Sequence, residues 1–213
     1  MAKIAAAQPK FTRVDADVRR HSLIAATARC LARDGFDGAS VRRICEEAGV
    51  SAGLLRHYFD GKDDLVAQTY DGLAADFTRI TRDILHGASG GPEERLRAFF
   101  EASFTAEFID ANVFLVWVAF WRQVRVDEKI RRSHRRAYGV HRRDLEDILH
   151  DIAAQHGFAC DPRLAALSLT ALMDGLWLEI SLDATAFTPA EATAICTNWL
   201  DSFIGGGFAG RFK

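Results

Sequence analysis

Residues 40–59 read SVRRICEEAGVSAGLLRHYF. Ser40 and Ser51 are residue types that cap helices, and each stands just before a short apolar pattern with helical spacing. Between the two patterns, Ala48 is small enough for a close approach of helices, and Gly49 permits a sharp turn. This segment therefore predicts two short helices joined by a tight turn, which is the layout of a helix-turn-helix.

The second of these helices is predicted to present its N-terminal end to the outside. Backbone N–H groups at such an end point away from the helix, where they can meet a phosphate or the edge of a base. Ser51, Ala52 and Gly53 are all small. The pattern thus favours an end that can approach DNA closely.

The residues that follow extend the motif. His57-Tyr58-Phe59, Lys62 and Leu65 complete a signature through which residues 18–66 resemble the TetR family of transcriptional repressors. That resemblance implies that one set of side chains faces the major groove and reads bases, namely Ser51, Leu54, Arg56 and His57. It implies that Ser40, Tyr58 and Lys62 hold phosphates, which set the register on DNA. The candidate DNA-binding residues are Ser40, Arg42, Ser51, Ala52, Gly53, Leu54, Arg56, His57, Tyr58 and Lys62.

Helical periodicity also covers the rest of the chain. A first helix follows Asp17 and stops at Gly35, and a long one runs from Lys62 to a glycine-rich break at 87–91. Prolines open three further apolar patterns, at Pro92, Pro162 and Pro189, because proline is tolerated in the first turn of a helix. No alternation of period two supports a strand.

The predicted fold class is therefore all-α, with an N-terminal three-helix helix-turn-helix domain and a C-terminal helical domain for ligand binding and dimerisation. The expected organisation is a flexible arm over 1–14, a DNA-binding domain over 15–61, a ligand-binding and dimerisation domain over 62–204, and a flexible tail over 205–213.

Composition limits the classes of function. The chain has 213 residues, 49% hydrophobic content and a formal net charge of -2, so any DNA contact must come from a local arrangement of charge. The scattered cysteines Cys30, Cys45, Cys160 and Cys196 fit reduced thiols in a cytoplasmic protein, without the spacing of a metal site. The apolar run from Val113 to Trp121 is too short to span a bilayer. We expect no cofactor, no metal and no membrane partner.

Three C-terminal stretches resemble the BetI-like branch of the TetR family, whose members repress choline-to-betaine genes. They are 117–121 (WVAFW), 130–136 (IRRSHRR) and 172–178 (LMDGLWL). Trp117 and Trp121 share one helix face, and Asp174 and Trp177 share another. Aromatic faces beside a carboxylate suit an organic cation. The candidate ligand-binding residues are Trp117, Phe120, Trp121, Asp174 and Trp177; the alternative is that these aromatic residues are simply core.

The basic run from Lys129 to Arg143 has two interpretations. It is either a second surface for anions or nucleic acid, or a solvated helix face paired with nearby acids such as Asp127, Glu128 and Asp144. His134 and His141 are seven positions apart and can face the same way, but no acidic or thiol pattern beside them indicates a metal site.

The function predicted from these features is a ligand-responsive, sequence-specific transcriptional repressor. It would bind a palindromic DNA operator as a homodimer held by the last two helices, with Leu169, Leu176, Ile195 and Trp199 as candidate contacts, and a small-molecule inducer would release it. An activator or a ligand-independent regulator of the same fold remains an alternative. A helical-bundle enzyme is a distant one, because the chain contains no Glu-x-x-His motif.

Overall fold

The computed structural model describes residues 13–105 and 111–206. Their regular structure is entirely helical, as predicted: α1 (Arg13–Gly38), α2 (Val41–Ala48), α3 (Ala52–Tyr58), α4 (Lys62–Gly87), α5 (Pro92–Ser103), α6 (Ala111–Val126), α7 (Glu128–His156), α8 (Pro162–Leu182) and α9 (Pro189–Ile204). The predicted arm over 1–14 and tail over 205–213 lie mostly outside the described residues.

The chain divides into two compact units, one ending at Thr69 and the other beginning at Tyr70. The first unit contains α1, α2, α3 and the start of α4, and the second contains the rest of α4 together with α5 to α9. The division falls inside α4, whereas the sequence placed the domain boundary at the start of that helix. Helix α4 is therefore shared by both units.

The first unit is built around the apolar side of the helix-turn-helix. Leu23 and Leu31 of α1, Ile44 of α2 and Leu55 of α3 are all fully or almost fully buried. The backbone of α1 turns into the left-handed region at Gly35, with φ of 66°. This is the position at which the sequence predicted the helix to stop; the helical segment resumes and ends at Gly38.

Local capping fixes the two short helices. The Ser40 hydroxyl accepts a hydrogen bond from the Arg43 N–H, and the Ser51 hydroxyl accepts one from the Leu54 N–H at 3.2 Å. Gly49 ends α2 with φ of 65°, a conformation that favours glycine because it has no side chain to clash. The caps predicted from the sequence are thus confirmed.

The second unit has one continuous hydrophobic core. Helices α5, α8 and α9 begin at Pro92, Pro162 and Pro189, as the sequence predicted. Asp127 separates α6 from α7, because its carboxylate accepts from the N–H groups of Lys129 and Ile130. The central core residues include Leu96, Phe99, Phe100, Leu145, Leu149, Ile152, Leu169, Met173, Trp177, Leu200 and Phe203.

Helix α8 is long and apolar enough, by length and composition alone, to cross a membrane. It is the core helix of the second unit, with Ala165, Leu169, Met173 and Ile180 among its buried residues. Core helices of soluble proteins pass the same test, so the apolarity of α8 is accounted for by the packing within this unit.

Candidate functional sites

The N-terminal end of α3 is open to solvent. Ser51, Ala52 and Gly53 are exposed, and the Ser51 hydroxyl keeps the first turn of the helix in place through its cap. Arg56 and His57 are also exposed, whereas Leu55 and Phe59 are buried against the rest of the first unit. The inward residues hold α3 in place. Of the four residues assigned to base reading by the resemblance, Ser51, Arg56 and His57 are exposed and Leu54 is partly buried.

Gly53 has no steric reason to be glycine within the first unit. A Cβ atom added there would meet only the Ser51 hydroxyl oxygen, at an ordinary contact distance of 3.8 Å. Glycine in a helix costs about 0.5–1 kcal/mol relative to alanine. The absence of a side chain at Gly53 therefore leaves open space at the exposed end of α3.

The residues assigned to phosphates sit in different surroundings. Ser40 is exposed, and Tyr58 is partly buried with its ring edge-on to His57, centroids 5.1 Å apart. The Lys62 ammonium donates to the Phe36 carbonyl at 2.8 Å and lies 5.4 Å from the centroid of the Phe36 ring. Because an ammonium has three donors, this contact leaves hydrogen-bonding capacity for a phosphate.

Arg42, the remaining DNA candidate, is exposed and forms an ion pair with Glu46 one turn later, at 3.1 Å. The neighbouring Arg43 instead pairs with Asp34 of α1 at 3.2 Å. The two adjacent arginines thus have different partners: Arg43 pairs with a residue of α1, and Arg42 pairs within α2.

An ionic network that the sequence did not indicate joins α1 to α2. Glu47 accepts from Arg29 at 2.7 Å and from Arg33 at 3.1 Å, and Arg33 also pairs with Asp34. Hydrogen bonds from Arg29 and Arg33 lower the pKa of Glu47 below its ordinary value. These contacts fix the first helix of the motif against α1, and no local spacing in the sequence could show them.

The second unit gathers the predicted aromatic residues around two further rings of α4. Trp117 makes edge contacts with Tyr70 and Phe77, with centroids 5.5 and 6.0 Å apart, and Phe120 contacts Tyr70 at 5.0 Å. Phe77 also contacts Trp177, at 5.9 Å. Phe77 therefore connects the Trp117 face of α6 with the Trp177 face of α8, which the sequence treated as separate.

Asp174 lies beside these rings on α8 and is largely buried. Burial is the main cause that raises its pKa to about 6, while the nearby Arg142 and a hydrogen bond from the Tyr138 hydroxyl act in the opposite direction. Burial raises the pKa of Tyr138, and a hydrogen bond from the Trp121 side chain acts in the opposite direction. Among the described residues no cation lies within ion-pair distance of Asp174. A carboxylate of this kind can accept a cationic ligand.

All five predicted ligand residues thus belong to one neighbourhood, although Trp177 and Phe120 are the more deeply buried. The Trp177 indole donates to the Ser103 carbonyl at 3.1 Å, so its polar atom already has a partner. The sequence missed Tyr70 and Tyr138. Tyr138 stands inside the basic run, where arginines dominated the pattern, and Tyr70 was one of many residues on a long amphipathic helix.

The basic run divides between two faces of α7. Arg132, Arg135 and Arg143 are exposed, which supports the solvated-face interpretation. Arg131 pairs with Glu128 at 2.7 Å, as expected for nearby acids. Asp144, however, pairs with Arg82 of α4 rather than with the run, through two hydrogen bonds of 2.7 and 2.9 Å.

The two histidines of the basic run, His134 and His141, both face inward. His134 contacts Tyr70 and Tyr138, and His141 lies between Phe77 and Phe99, with centroids 5.3 and 6.2 Å away. Burial lowers the pKa of His141 to about 4, so this imidazole is neutral at physiological pH.

Comparisons with known proteins agree on both parts of the chain. Residues 23–69 match the family described as bacterial regulatory proteins of the tetR family, and residues 92–205 match the BetI-type transcriptional repressor C-terminal domain. The HTH-type transcriptional regulator BetI of Burkholderia thailandensis is 32% identical over 191 residues, covering 88% of this chain and 94% of that protein.

Solved structures show the same architecture. A putative transcriptional regulator from Pseudomonas aeruginosa PAO1 is 46% identical and superimposes with a TM-score of 0.88, covering 96% of this chain and 99% of that one. A putative transcriptional regulator from Saccharomonospora viridis, solved in complex with choline, has a TM-score of 0.74 at 20% identity, covering 87% and 96%. The latter similarity shows the fold. With its helix-turn-helix and its BetI-type C-terminal domain, the chain belongs to the TetR family of DNA-binding transcriptional regulators.

Proposed function

We propose that this regulator is a cytoplasmic repressor that binds a palindromic operator as a homodimer and is released by a small organic cation. The observation that carries the ligand class is Asp174, a carboxylate largely removed from water beside an aromatic cluster. An interior carboxylate without an ion-pair partner is costly, and a bound cation offsets that cost.

Aromatic rings near Asp174 supply the second component of a cation site. Trp117 and Trp121 are both partly exposed on α6, and the faces of tryptophan rings attract organic cations by about 0.5–2 kcal/mol each. The choline complex of the Saccharomonospora viridis regulator supports this ligand class for a protein of the same fold. We therefore place quaternary ammonium compounds first among the candidate inducers.

DNA recognition is assigned to α3 and its flanks. Contacts to phosphate set the register, and Arg56 and His57 on the exposed side of α3 read base edges in the major groove. In a dimer, two such helices enter successive major grooves about 34 Å apart. Release from DNA requires that the ligand binds one of two dimer states better than the other. The coupling free energy between ligand binding and DNA binding is typically roughly 1–3 kcal/mol.

Calorimetry with choline, betaine aldehyde and spermidine tests the ligand site. We expect at least one of these cations to bind the wild-type protein and to bind Asp174→Asn at least about tenfold more weakly, because the carboxylate supplies the charge. The matched control is Glu179→Gln, which removes an exposed carboxylate from the same helix. Binding to the control should equal that of the wild type.

Operator binding is measured in parallel on a duplex that the wild-type protein selects from a random-sequence pool. Asp174→Asn should bind this duplex as well as the wild type does, because the substitution lies in the second unit and outside the DNA-reading helix. Equal binding of the cations to wild type and Asp174→Asn would show that Asp174 is only a structural acid.

A further inference from the structure

His141 of α7 contains a buried polar atom without a partner. The residue is only 4% exposed, and its Nδ1 atom makes no hydrogen bond with any residue that the structure describes. Two arginine nitrogens share this property, Nε of Arg95 and of Arg142, but those side chains are partly exposed. A buried polar atom without a partner is costly, and a phenylalanine would fill the same place without that cost. A bound molecule that offers a hydrogen bond to Nδ1 would remove it.

The surroundings of His141 place it at the proposed cation site. Phe77 of α4 contacts the His141 ring, with centroids 5.3 Å apart. The same phenylalanine contacts Trp117 of α6 at 6.0 Å and Trp177 of α8 at 5.9 Å. Trp177 and Asp174 are three positions apart and share one face of α8. Phe77 thus brings the imidazole into the same cluster as the two candidate ligand tryptophans.

We propose that His141 is a specificity-determining residue of the ligand site, whose Nδ1 atom hydrogen-bonds to a hydroxyl group of the cationic inducer. This role rests on the proposed function, in which Asp174 binds the positive charge. The site then recognises two features of one ligand, its charge at α8 and its hydroxyl group at α7. The ligand class is narrowed from organic cations in general to those that carry a hydroxyl group.

The chemistry of the imidazole favours a hydroxyl group over other polar groups. Burial lowers the pKa of His141, so the ring is neutral and has one donor and one acceptor nitrogen. Because a hydroxyl group both donates and accepts, it can pair with Nδ1 in either tautomer. A carboxylate can only accept, and its negative charge would be buried in the same cluster as Asp174, at a high cost.

Two cations of the same shape test the proposal. Propyltrimethylammonium has a methyl group where choline has its hydroxyl group, and both carry one positive charge. Calorimetry gives the dissociation constant of each cation for the wild-type protein, and the ratio of the two constants is the readout. We expect choline to bind about three- to tenfold more tightly, the effect of one neutral hydrogen bond. An aromatic cluster without a polar partner would favour the more apolar cation instead.

His141→Phe removes the ring nitrogens and keeps an aromatic side chain. This variant should bind the two cations with about equal affinity or prefer propyltrimethylammonium. His141→Gln retains a hydrogen-bonding group and should keep part of the preference for choline. The matched control is His150→Gln, which replaces an exposed histidine of the same helix and should give the wild-type ratio. If His141 serves only packing, both of its variants would weaken the two cations alike, and an unchanged ratio would overturn the proposal.

Two further results contradict different parts of the assignment. If the wild type binds both cations equally well and Asp174→Asn weakens both, the cation site stands and the role of His141 is refuted. This comparison needs no substitution at His141, so it holds even if that variant fails to fold. If neither cation binds the wild type, the proposed function fails, and the role of His141 fails with it.

Discussion

At the scale of single residues, Asp174, the carboxylate of the proposed ligand site, carries a cost to the stability of the fold. Burial raises its pKa to about 6, from an ordinary value of 3.8. A carboxyl group with a raised pKa contributes stability that is complete below the unfolded pKa and is lost as the pH rises through the folded pKa. At neutral pH the ionised side chain is therefore a cost to folding.

We expect Asp174→Asn to raise the free energy of unfolding by on the order of 2 kcal/mol at pH 7.5, because the amide needs no ionisation. The gain should shrink to roughly half at pH 5, where the wild-type carboxyl is protonated in the folded state. Urea unfolding of both proteins at the two pH values measures this. A gain independent of pH would mean that the asparagine acts by packing rather than by charge.

Lys62 is a residue on which the sequence and the structure give complementary information. The resemblance assigns it to a phosphate, and the structure shows its ammonium bonded to the Phe36 carbonyl. Lys62→Ala should weaken DNA binding equally across sequences and reduce the slope of log affinity against log salt by about one. Tyr58→Phe should weaken binding with an unchanged slope, since no charge is lost. Altered base preference in Lys62→Ala with the salt slope intact would contradict the assignment.

At the scale of helices, the sequence predicted the starts well because the signals are local. Ser40, Ser51, Pro92, Pro162 and Pro189 act within one turn of the helix that they open, so their effect does not depend on the rest of the fold. The same holds for Gly49 at the end of α2.

Contacts between distant helices were not predictable in this way. Nothing in the local pattern shows that the Tyr70 hydroxyl of α4 meets His134 of α7, or that Arg82 of α4 pairs with Asp144 of α7. Such pairs depend on the tertiary packing of α4, α6, α7 and α8. The sequence consequently identified half of the candidate ligand site, on α6 and α8, and missed the half that α4 and α7 provide.

Helix α3 offers a test of its own, at Gly53. Alanine at this position should increase the stability of the protein by about 0.5–1 kcal/mol, because it favours the helix and meets only open space and the Ser51 hydroxyl. It should nevertheless weaken DNA binding, since the added methyl group stands at the surface assigned to DNA. Thermal unfolding and anisotropy titration of the same samples give both quantities.

The control for Gly53→Ala is Gly139→Ala in α7, where an added Cβ meets only an Arg143 nitrogen at 3.9 Å. It should give a similar gain in stability with unchanged affinity for DNA. Unaltered DNA binding by Gly53→Ala would place the DNA surface elsewhere than the N-terminal end of α3.

At the scale of the whole molecule, the net charge is compatible with a protein that binds DNA through a few local contacts. The formal net charge is only -2, so bulk attraction to a polyanion is absent. Short α3 carries Arg56 and His57 in its last turn, so one copy offers few side chains for contacts with DNA. Dimerisation is therefore part of the recognition that we propose.

The structure changes which residues can form the dimer interface. Leu169 and Leu176, which the sequence offered as contacts, are buried in the core of their own protomer and are unavailable. Ile195 on α9 is 39% exposed and Leu167 on α8 is 40% exposed, so both large apolar side chains lie on the outer faces of the last two helices. Trp199 is partly exposed on α9 and packs on the core.

We expect the double variant Leu167→Glu with Ile195→Glu to be monomeric at micromolar concentration by sedimentation, because charges cannot be buried unpaired across an interface. Its DNA affinity should fall by about 10²- to 10⁴-fold, the gain that linkage of two binding modules provides. Val126→Glu, at a more exposed apolar position at the end of α6, should remain dimeric and bind DNA normally. A monomeric wild type would refute the dimer altogether, whereas a dimeric double variant would place the interface on another surface. Because the substituted side chains are exposed in the protomer, its melting temperature should change little, so the loss of DNA binding would reflect assembly rather than unfolding.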